Sequence, residues 1–361
     1  MQRREWVKTA AAGALGALHL PPGAAGPEGP QSEDVIVVEG LVAGTLRLSH
    51  LRGQQQGGVH AGVASCPGDF GSYARELKFF DRYRTEVIPA RSVADIRQAR
   101  RDGRVAHIYG WQSAETLGSQ FNGTMGNTDT ALRAYREIGL RICGICYNVA
   151  NLFGGGCLEP HLPLTRAGRR LVEEIHGLGI VLDVGGHTGQ QTSLDAIALS
   201  SGVPVICSHT NVAAIADNPR CISDRLIRAI AGTGGVVGLT AVNDFHVRSR
   251  KDAAVPQSPR VTVEAYLDQF DHIKRLVGVD HVGLGPDFVD GMPLDYNAVN
   301  REIITRDMIS DGPWRYVQGF ESIAELPNVM QGLRRRGWSE VEVRKAMGGN
   351  WLRVYQRVWK A

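Results

Sequence analysis

The stretches GIVLDVGGH (179–187), VPVICSH (203–209) and HVGLGPD (281–287) decide the fold. Each opens on a short apolar run, GIVLDV (179–184), VPVIC (203–207) or HVGLG (281–285), and then reaches a side chain able to bind a metal ion: His187, His209 or Asp287. Ligand-type residues just beyond separate parallel strands are how a barrel assembles a site on its C-terminal face. Five further runs have the same character: VIVV (35–38), GVHAGVAS (58–65), VAHIYG (105–110), LRICGICY (140–147) and GVVGLT (235–240). Helical periodicity fills 92–103, 129–139, 164–179, 223–234 and 262–278, with Ser92, Asp129 and Thr165 as N-terminal caps. Strand and helix alternating eight times in about 250 residues predicts an α/β chain folded as a (β/α)8 barrel. The competing architecture is an open doubly wound sheet, and no glycine-rich phosphate loop follows the first run to support it.

After the eighth run, 286–319 reads as a long irregular segment able to cover the site, and such segments are more often functional than not. Helical patterns (ESIAELPNVMQGLRRRG, SEVEVRKAMGGN, WLRVYQRVW) close the chain. At the other end, Gln2-Arg3-Arg4-Glu5-Trp6-Val7-Lys8 is followed by TAAAGALGALHL (9–20) and the small residues Gly23-Ala24-Ala25. That pattern predicts a twin-arginine signal peptide over 1–25, a flexible leader over 26–34 and a single barrel domain over 35–361. A periplasmic or secreted location and recognition by the twin-arginine export machinery follow from it.

The 361 residues, 43% hydrophobic and 21% charged, suffice for one large domain, and no apolar stretch is long enough for a stable membrane anchor. Most of the net charge of +3 sits in the signal segment, where Arg3, Arg4 and Lys8 face only Glu5. The body of the chain therefore offers no electrostatic case for nucleic acid. A homodimer is compatible with this reading. The six cysteines (66, 143, 146, 157, 207 and 221) could pair in an oxidising compartment, but their spacing does not say how. Cys143-Gly-Ile-Cys146 lies in a strand-like run, whereas redox chemistry needs a helix N-terminus, so these two are expected in the core.

As chemistry, the run ends offer Glu39, Gln112, Tyr147, His187, His209, His246 and Asp287. Two imidazoles and a carboxylate from different strands can hold a zinc-like ion and leave a position open for water. Such an ion lowers the pKa of water and polarises a carbonyl, which suits amide hydrolysis. His246 and His60 lack such company and read as structural.

The segments CYNVANLFGGG (146–156), PVICSHTN (204–211), PRCISDRLIRAIAGTGGVVGL (219–239), HVGLGPDF (281–288) and GWSEVEVRKAMGGNWLRVY (337–355) together resemble the membrane (renal) dipeptidase family. The resemblance extends over nearly all of the chain beyond the leader. It implies a (β/α)8 barrel that hydrolyses dipeptides at a two-zinc centre. His187 and His209 match the family's histidine ligands after strands five and six. Asp287 matches a carboxylate that helps hold the first metal and handles the catalytic water. Arg220 matches the arginine that binds substrate or its tetrahedral intermediate, a task suited to its planar fork. Four departures stand out. Leu41 and Ala43 occupy the places of a His-x-Asp ligand pair, Gln112 that of the bridging glutamate, and Tyr147 that of a histidine contacting the intermediate. An extra glycine, Gly185 or Gly186, separates Asp183 from His187. An atypical branch of the family shares the first three changes.

Leu and Ala cannot ligate, and a neutral Gln bridges two dications poorly, so one zinc ion is expected rather than two. The ligands would be His187 and His209 with Asp287, and Gln112 and Glu39 are the remaining candidates. Tyr147 and Asp287 are the expected catalytic residues, and Arg220 and Tyr147 the substrate-binding ones. The activity expected is metal-activated water attack on a dipeptide or related small amide. The alternatives are a metal-free, inactive barrel that binds a small carboxylate ligand, and a different metal-assisted reaction on the same scaffold.

Overall fold

Strand and helix alternate along the computed structural model, which describes residues 35–44, 46–65, 70–119, 128–290 and 295–359. The signal peptide and leader expected over 1–34 lie outside the described residues, as does Cys66. Ten strands are present: β1 Val38–Ala43, β2 Ala61–Ser65, β3 Val87–Ala90, β4 Val105–Trp111, β5 Leu140–Gly144, β6 Val181–Asp183, β7 Ile206–Val212, β8 Cys221–Ile222, β9 Val236–Leu239 and β10 Val282–Leu284. Eight of them pair in the order β1-β2-β4-β5-β6-β7-β9-β10, all parallel. A bridge between Val42 and Phe288 joins the two edges and nearly closes the barrel. β3 lies beside the first half of β4, and β8 pairs with the end of β7.

Each barrel strand overlaps one of the eight sequence runs, with three instructive shifts. β1 begins where VIVV ends, because Val37 is occupied by the next strand's lead-in: its carbonyl accepts from His60 N (3.0 Å) and Ala61 N (3.1 Å). Within β1 the register slips, Glu39 facing Gly62 and Val42 facing Ala64, three residues against two. LRICGICY leaves the sheet at Gly144, since the Ile145 carbonyl accepts instead from Ala114 N and Asn151 Nδ2. β7 runs on past Cys207 to Val212, so His209 lies within the strand rather than beyond it. A second slip, between Cys207 and Thr210, breaks the simple alternation there.

The helices form where capping chemistry starts them. Ser92 and Asp95 make a reciprocal capping box, Thr165 Oγ1 accepts from Gly168 N at 3.0 Å, and Ser223 Oγ accepts from Leu226 N. The helix expected from Asp129 begins one residue earlier, at Thr128. Apolar faces such as Leu171, Val172 and Ile175, or Leu226, Ile227 and Ile230, pack on outward-facing strand residues.

The last helix, Asn350–Val358, carries the fully buried Trp351, which joins Val38, Ala61, Ala106, Val181, Ile206 and Val236 from strand beginnings. A Cβ on Gly40 or Gly283 would come within 2.6 or 2.7 Å of the indole ring. These glycines let a large ring fill the N-terminal end of the barrel, and the opposite end is left for chemistry. Over that end pass the described parts of the 286–319 segment, 286–290 and 295–319, irregular apart from the short helix Tyr296–Val299. Its Ile304, Met308 and Ile309 pack with Cys157, Cys221, Val242 and Phe245 in a separate apolar cluster.

Candidate active site

Five of the seven expected site residues come together around one imidazole, that of His187. Gln112 follows β4, Tyr147 stands three residues past β5, His187 four past β6, His209 lies in β7, and Arg220 precedes β8. His187 Nε2 is 2.7 Å from Gln112 Oε1, 2.9 Å from His209 Nε2 and 3.3 Å from Arg220 Nη2. The Tyr147 ring stacks on the His187 ring, centroids 4.0 Å apart. The sixth, Asp287, stands three residues past β10, where its charge acts on Tyr147 and the Arg220 guanidinium acts on it.

The extra glycine explains how His187 reaches this position. Gly185 and Gly186 both have positive φ (79° and 59°), and a Cβ on Gly186 would sit 2.7 Å from both Arg220 Nη1 and the His209 carbonyl. Only a glycine pair lets the chain turn His187 in against the guanidinium.

Hydrogen bonds anchor both histidine rings through Nδ1. His187 Nδ1 lies 2.6 Å from Asn148 Oδ1, and His209 Nδ1 lies 2.7 Å from Ser208 Oγ. Ser208 in turn bonds Asp183, whose Oδ1 accepts from Ser208 N at 2.8 Å. The Asn148 amide oxygen can only accept, so His187 Nε2 carries a lone pair, whereas the Ser208 hydroxyl can donate to His209 Nδ1 and let His209 Nε2 donate across the 2.9 Å to His187. Burial, reinforced by the Arg220 guanidinium, pushes both histidines well below 6.5, so neither carries a second proton at neutral pH. A cation held between the rings would take the place of that bridging proton, and Nδ1 anchoring is the arrangement that metal-bound imidazoles use. Burial likewise raises the carboxyls of Asp287 and Asp183 to about 7, with Arg220 opposing the shift in both. Burial holds the Tyr147 phenol protonated.

Two expected ligands need correction. Glu39 does not face the site. Its Oε2 bonds Gln54 Nε2 (2.7 Å) and His50 Nε2 (3.0 Å) on the helix Leu48–Gly57 outside the barrel. The reason is the register slip in β1, which puts Glu39 on the same side as Val42 and breaks the alternation that would have aimed it inward. Asp287 does not complete a three-ligand set either: among the described residues no group of three His, Cys, Asp or Glu side chains is placed to hold an ion. Asp287 is held in a left-handed backbone, φ 63°, after Pro286, and its carboxylate takes no hydrogen bond from the described residues. The donors that do come together are His187, His209 and the Gln112 amide oxygen.

His246 and His60 are structural. His246 is buried beside Thr240 O (3.0 Å), and His60 Nδ1 accepts from Val37 N (3.0 Å). The five described cysteines are buried free thiols, Cys143 and Cys146 included. Residues that the sequence did not mark are Asn148, Ser208 and Tyr296, the last hydrogen-bonded to Tyr147. Adjacency to Tyr147 and His209 was the available signal for the first two. Tyr296 had none, because its partner lies 149 positions away in sequence.

The profile of the membrane dipeptidase family (peptidase family M19) matches residues 77–309 and 303–361. The chain belongs to this family. A protein of Klebsiella pneumoniae described as an uncharacterized protein in the pqqA 5′ region is 30% identical over 280 residues, covering 74% of this chain and 88% of its own. The dipeptidase tcpJ of Claviceps purpurea is 26% identical over 284 residues, covering 78% of this chain and 57% of its own, so this chain spans little more than half of that relative. Among solved structures, an amidohydrolase of Pseudomonas aeruginosa superposes with a TM-score of 0.78 at 29% identity, over 91% of this chain and 97% of that one. Membership makes this protein a dipeptidase-family hydrolase on a TIM-type barrel, built on a metallopeptidase scaffold. No helix among the described residues is long and apolar enough to cross a membrane.

Proposed function

We propose that this protein hydrolyses a dipeptide or related small amide. The observation that carries this reading is the pair of anchored imidazoles whose Nε2 atoms face each other at 2.9 Å beside a buried arginine. His187, His209 and the Gln112 amide oxygen would hold one zinc-like ion, which when bound supplies Lewis acidity toward water and the scissile carbonyl. The chain's own residues do the rest. Arg220, 1% exposed and with Nη1 lacking a hydrogen-bond partner among the described residues, offers a fork for a substrate carboxylate or a developing oxyanion. The Tyr147 phenol keeps its proton at working pH and can donate it as a hydrogen bond to the same oxygen. Asp287, with its carboxyl near 7, accepts a proton from attacking water and returns it to the leaving amine.

Arg220 Nη2 beside His187 Nε2 also supports a second reading, in which the guanidinium is the resident cation and the pocket only binds a small carboxylate. Metal content of the purified protein, combined with amino-acid release from a dipeptide panel, separates the two. About one equivalent of metal, lost in both His187→Ala and His209→Ala together with hydrolysis, is expected. Absence of metal and of hydrolysis after zinc addition would leave the binding reading. For location we propose twin-arginine export to the periplasm, motivated by Arg3-Arg4 and checked by fractionation of cells carrying Arg3→Lys/Arg4→Lys. A homodimer is likewise proposed, and sedimentation of the full chain decides it.

A further inference from the structure

Asn148 lies directly after Tyr147, is 1% exposed and has φ 62°, a left-handed conformation that Asn tolerates better than most side chains. Both ends of its amide are committed. Nδ2 donates to the Ile303 carbonyl at 2.8 Å. A carbonyl can only accept, so that end must be the NH2, and the opposite end must be the oxygen. This Oδ1 meets His187 Nδ1 at 2.6 Å and also accepts from the Cys157 thiol at 3.4 Å. An amide oxygen cannot donate, so the proton on His187 is on Nδ1. Nε2 then carries the lone pair: it accepts from Arg220 Nη2 and faces His209 Nε2 and the Gln112 amide, whose far end meets the Ser65 hydroxyl, a group that donates or accepts, so that amide can turn either end toward His187. The neighbouring Tyr147 covers the face of the same ring and bonds Tyr296. Two consecutive residues thus grip His187 by edge and face, and both are tied to the 296–303 stretch.

We infer that Asn148 is a positioning residue that fixes His187 as the Nδ1–H tautomer and couples that choice to the segment following the last strand. An asparagine that merely filled space would not need an acceptor-only group at one end and a charge-neutral ring nitrogen at the other. The tautomer follows from the hydrogen bonds alone, whereas its effect on metal affinity rests on the functional reading above.

Two substitutions test it. Asn148→Gly keeps the left-handed backbone without strain and deletes the amide. Asn148→Asp keeps an acceptor for Nδ1–H but removes the donor to Ile303. Long-range proton–nitrogen correlation spectra of full-length protein with nitrogen-15-labelled histidine, recorded in EDTA at pH 7.5, report the tautomer directly. Nδ1–H is expected in the wild type and in Asn148→Asp, and Nε2–H or a mixture in Asn148→Gly. Amide exchange across 296–303 is expected to quicken in both variants. With cobalt as probe, affinity should fall about 10–100-fold in Asn148→Gly and stay closer to wild type in Asn148→Asp. A pure Nδ1–H tautomer in Asn148→Gly, or loss of it in Asn148→Asp, overturns the inference, and either variant suffices should the other not fold. Failure of the wild type to take up cobalt would refute the metal reading while leaving the tautomer measurement decisive for Asn148.

Discussion

Replacing Asp287 by Asn should stabilise the protein in alkaline buffer and inactivate it. Burial moves this carboxyl from 3.8 to about 7, with Arg220 offsetting only part of the change. In the unfolded chain the proton leaves near 3.8, and in the folded protein near 7. Between those values the folded state binds more protons, so stability falls as pH rises through the window and levels off above it. At 1.36 kcal/mol per pKa unit, the ceiling on the destabilisation above pH 7 is roughly 4 kcal/mol. Structural relaxation and water reaching a side chain that is 7% exposed reduce the expected gain to about 1–3 kcal/mol at pH 8.5. Asn is nearly isosteric and accepts the left-handed φ of 63°, so the substitution adds no backbone strain. Urea denaturation in EDTA at pH 5.5, 7 and 8.5 is the assay, with dipeptide hydrolysis measured separately on zinc-supplemented protein without chelator. The gain should grow by about 1–2 kcal/mol from the lowest to the highest pH, while activity falls by 100-fold or more, on the order expected for losing a general base. A gain equal at all three values, or a loss at pH 8.5, refutes the claim that Asp287 is a buried carboxyl strained by its site.

The Glu39–His50 pair gives the opposite experiment. Burial pulls His50 down, but the charge and hydrogen bond of Glu39 outweigh it and hold the imidazole above 6.5. Stability from the pair is fully present below about 6.5 and is lost as pH rises through the folded value. Glu39→Gln should therefore destabilise by roughly 3–5 kcal/mol at pH 6, the range for breaking a buried pair, and the deficit should shrink or reverse by pH 9. A pH-independent deficit in urea melts would contradict it. Trp351→Ala empties the barrel floor and should lose about 3–5 kcal/mol in the same melts, with native far-ultraviolet dichroism retained in water. Gly186→Ala sets a Cβ against Arg220 and His209 at positive φ. About 1–2 kcal/mol of stability and at least about 10-fold of kcat/KM should go, and an unchanged kcat/KM would show that the guanidinium position does not matter.

How much of this was legible depended on whether a property is local. Apolar runs, helical periodicity and caps such as Ser92 and Thr165 are encoded within a few residues, and the eight barrel strands and their order follow from them. The identity of the active face was legible for the same reason, since His187, His209 and Asp287 each trail a run. What failed was arithmetic along a strand. Alternation aimed Glu39 inward, but the slip in β1 turned it out beneath a helix, and a second slip kept His209 inside β7. A bulge adds one residue to one strand only, so it is visible in pairing and invisible in a single chain.

The sequence by itself determined the barrel, the family, and the loss of the ligands replaced by Leu41, Ala43 and Gln112, because side-chain chemistry needs no coordinates. The tertiary structure alone decided which groups meet. It set His187 between Asn148 and His209, kept Asp287 out of a three-ligand group, and brought Tyr296 and Ile303 onto the site from beyond the last strand. Those contacts join residues dozens to more than a hundred positions apart, and only closure of the barrel puts them within hydrogen-bonding range.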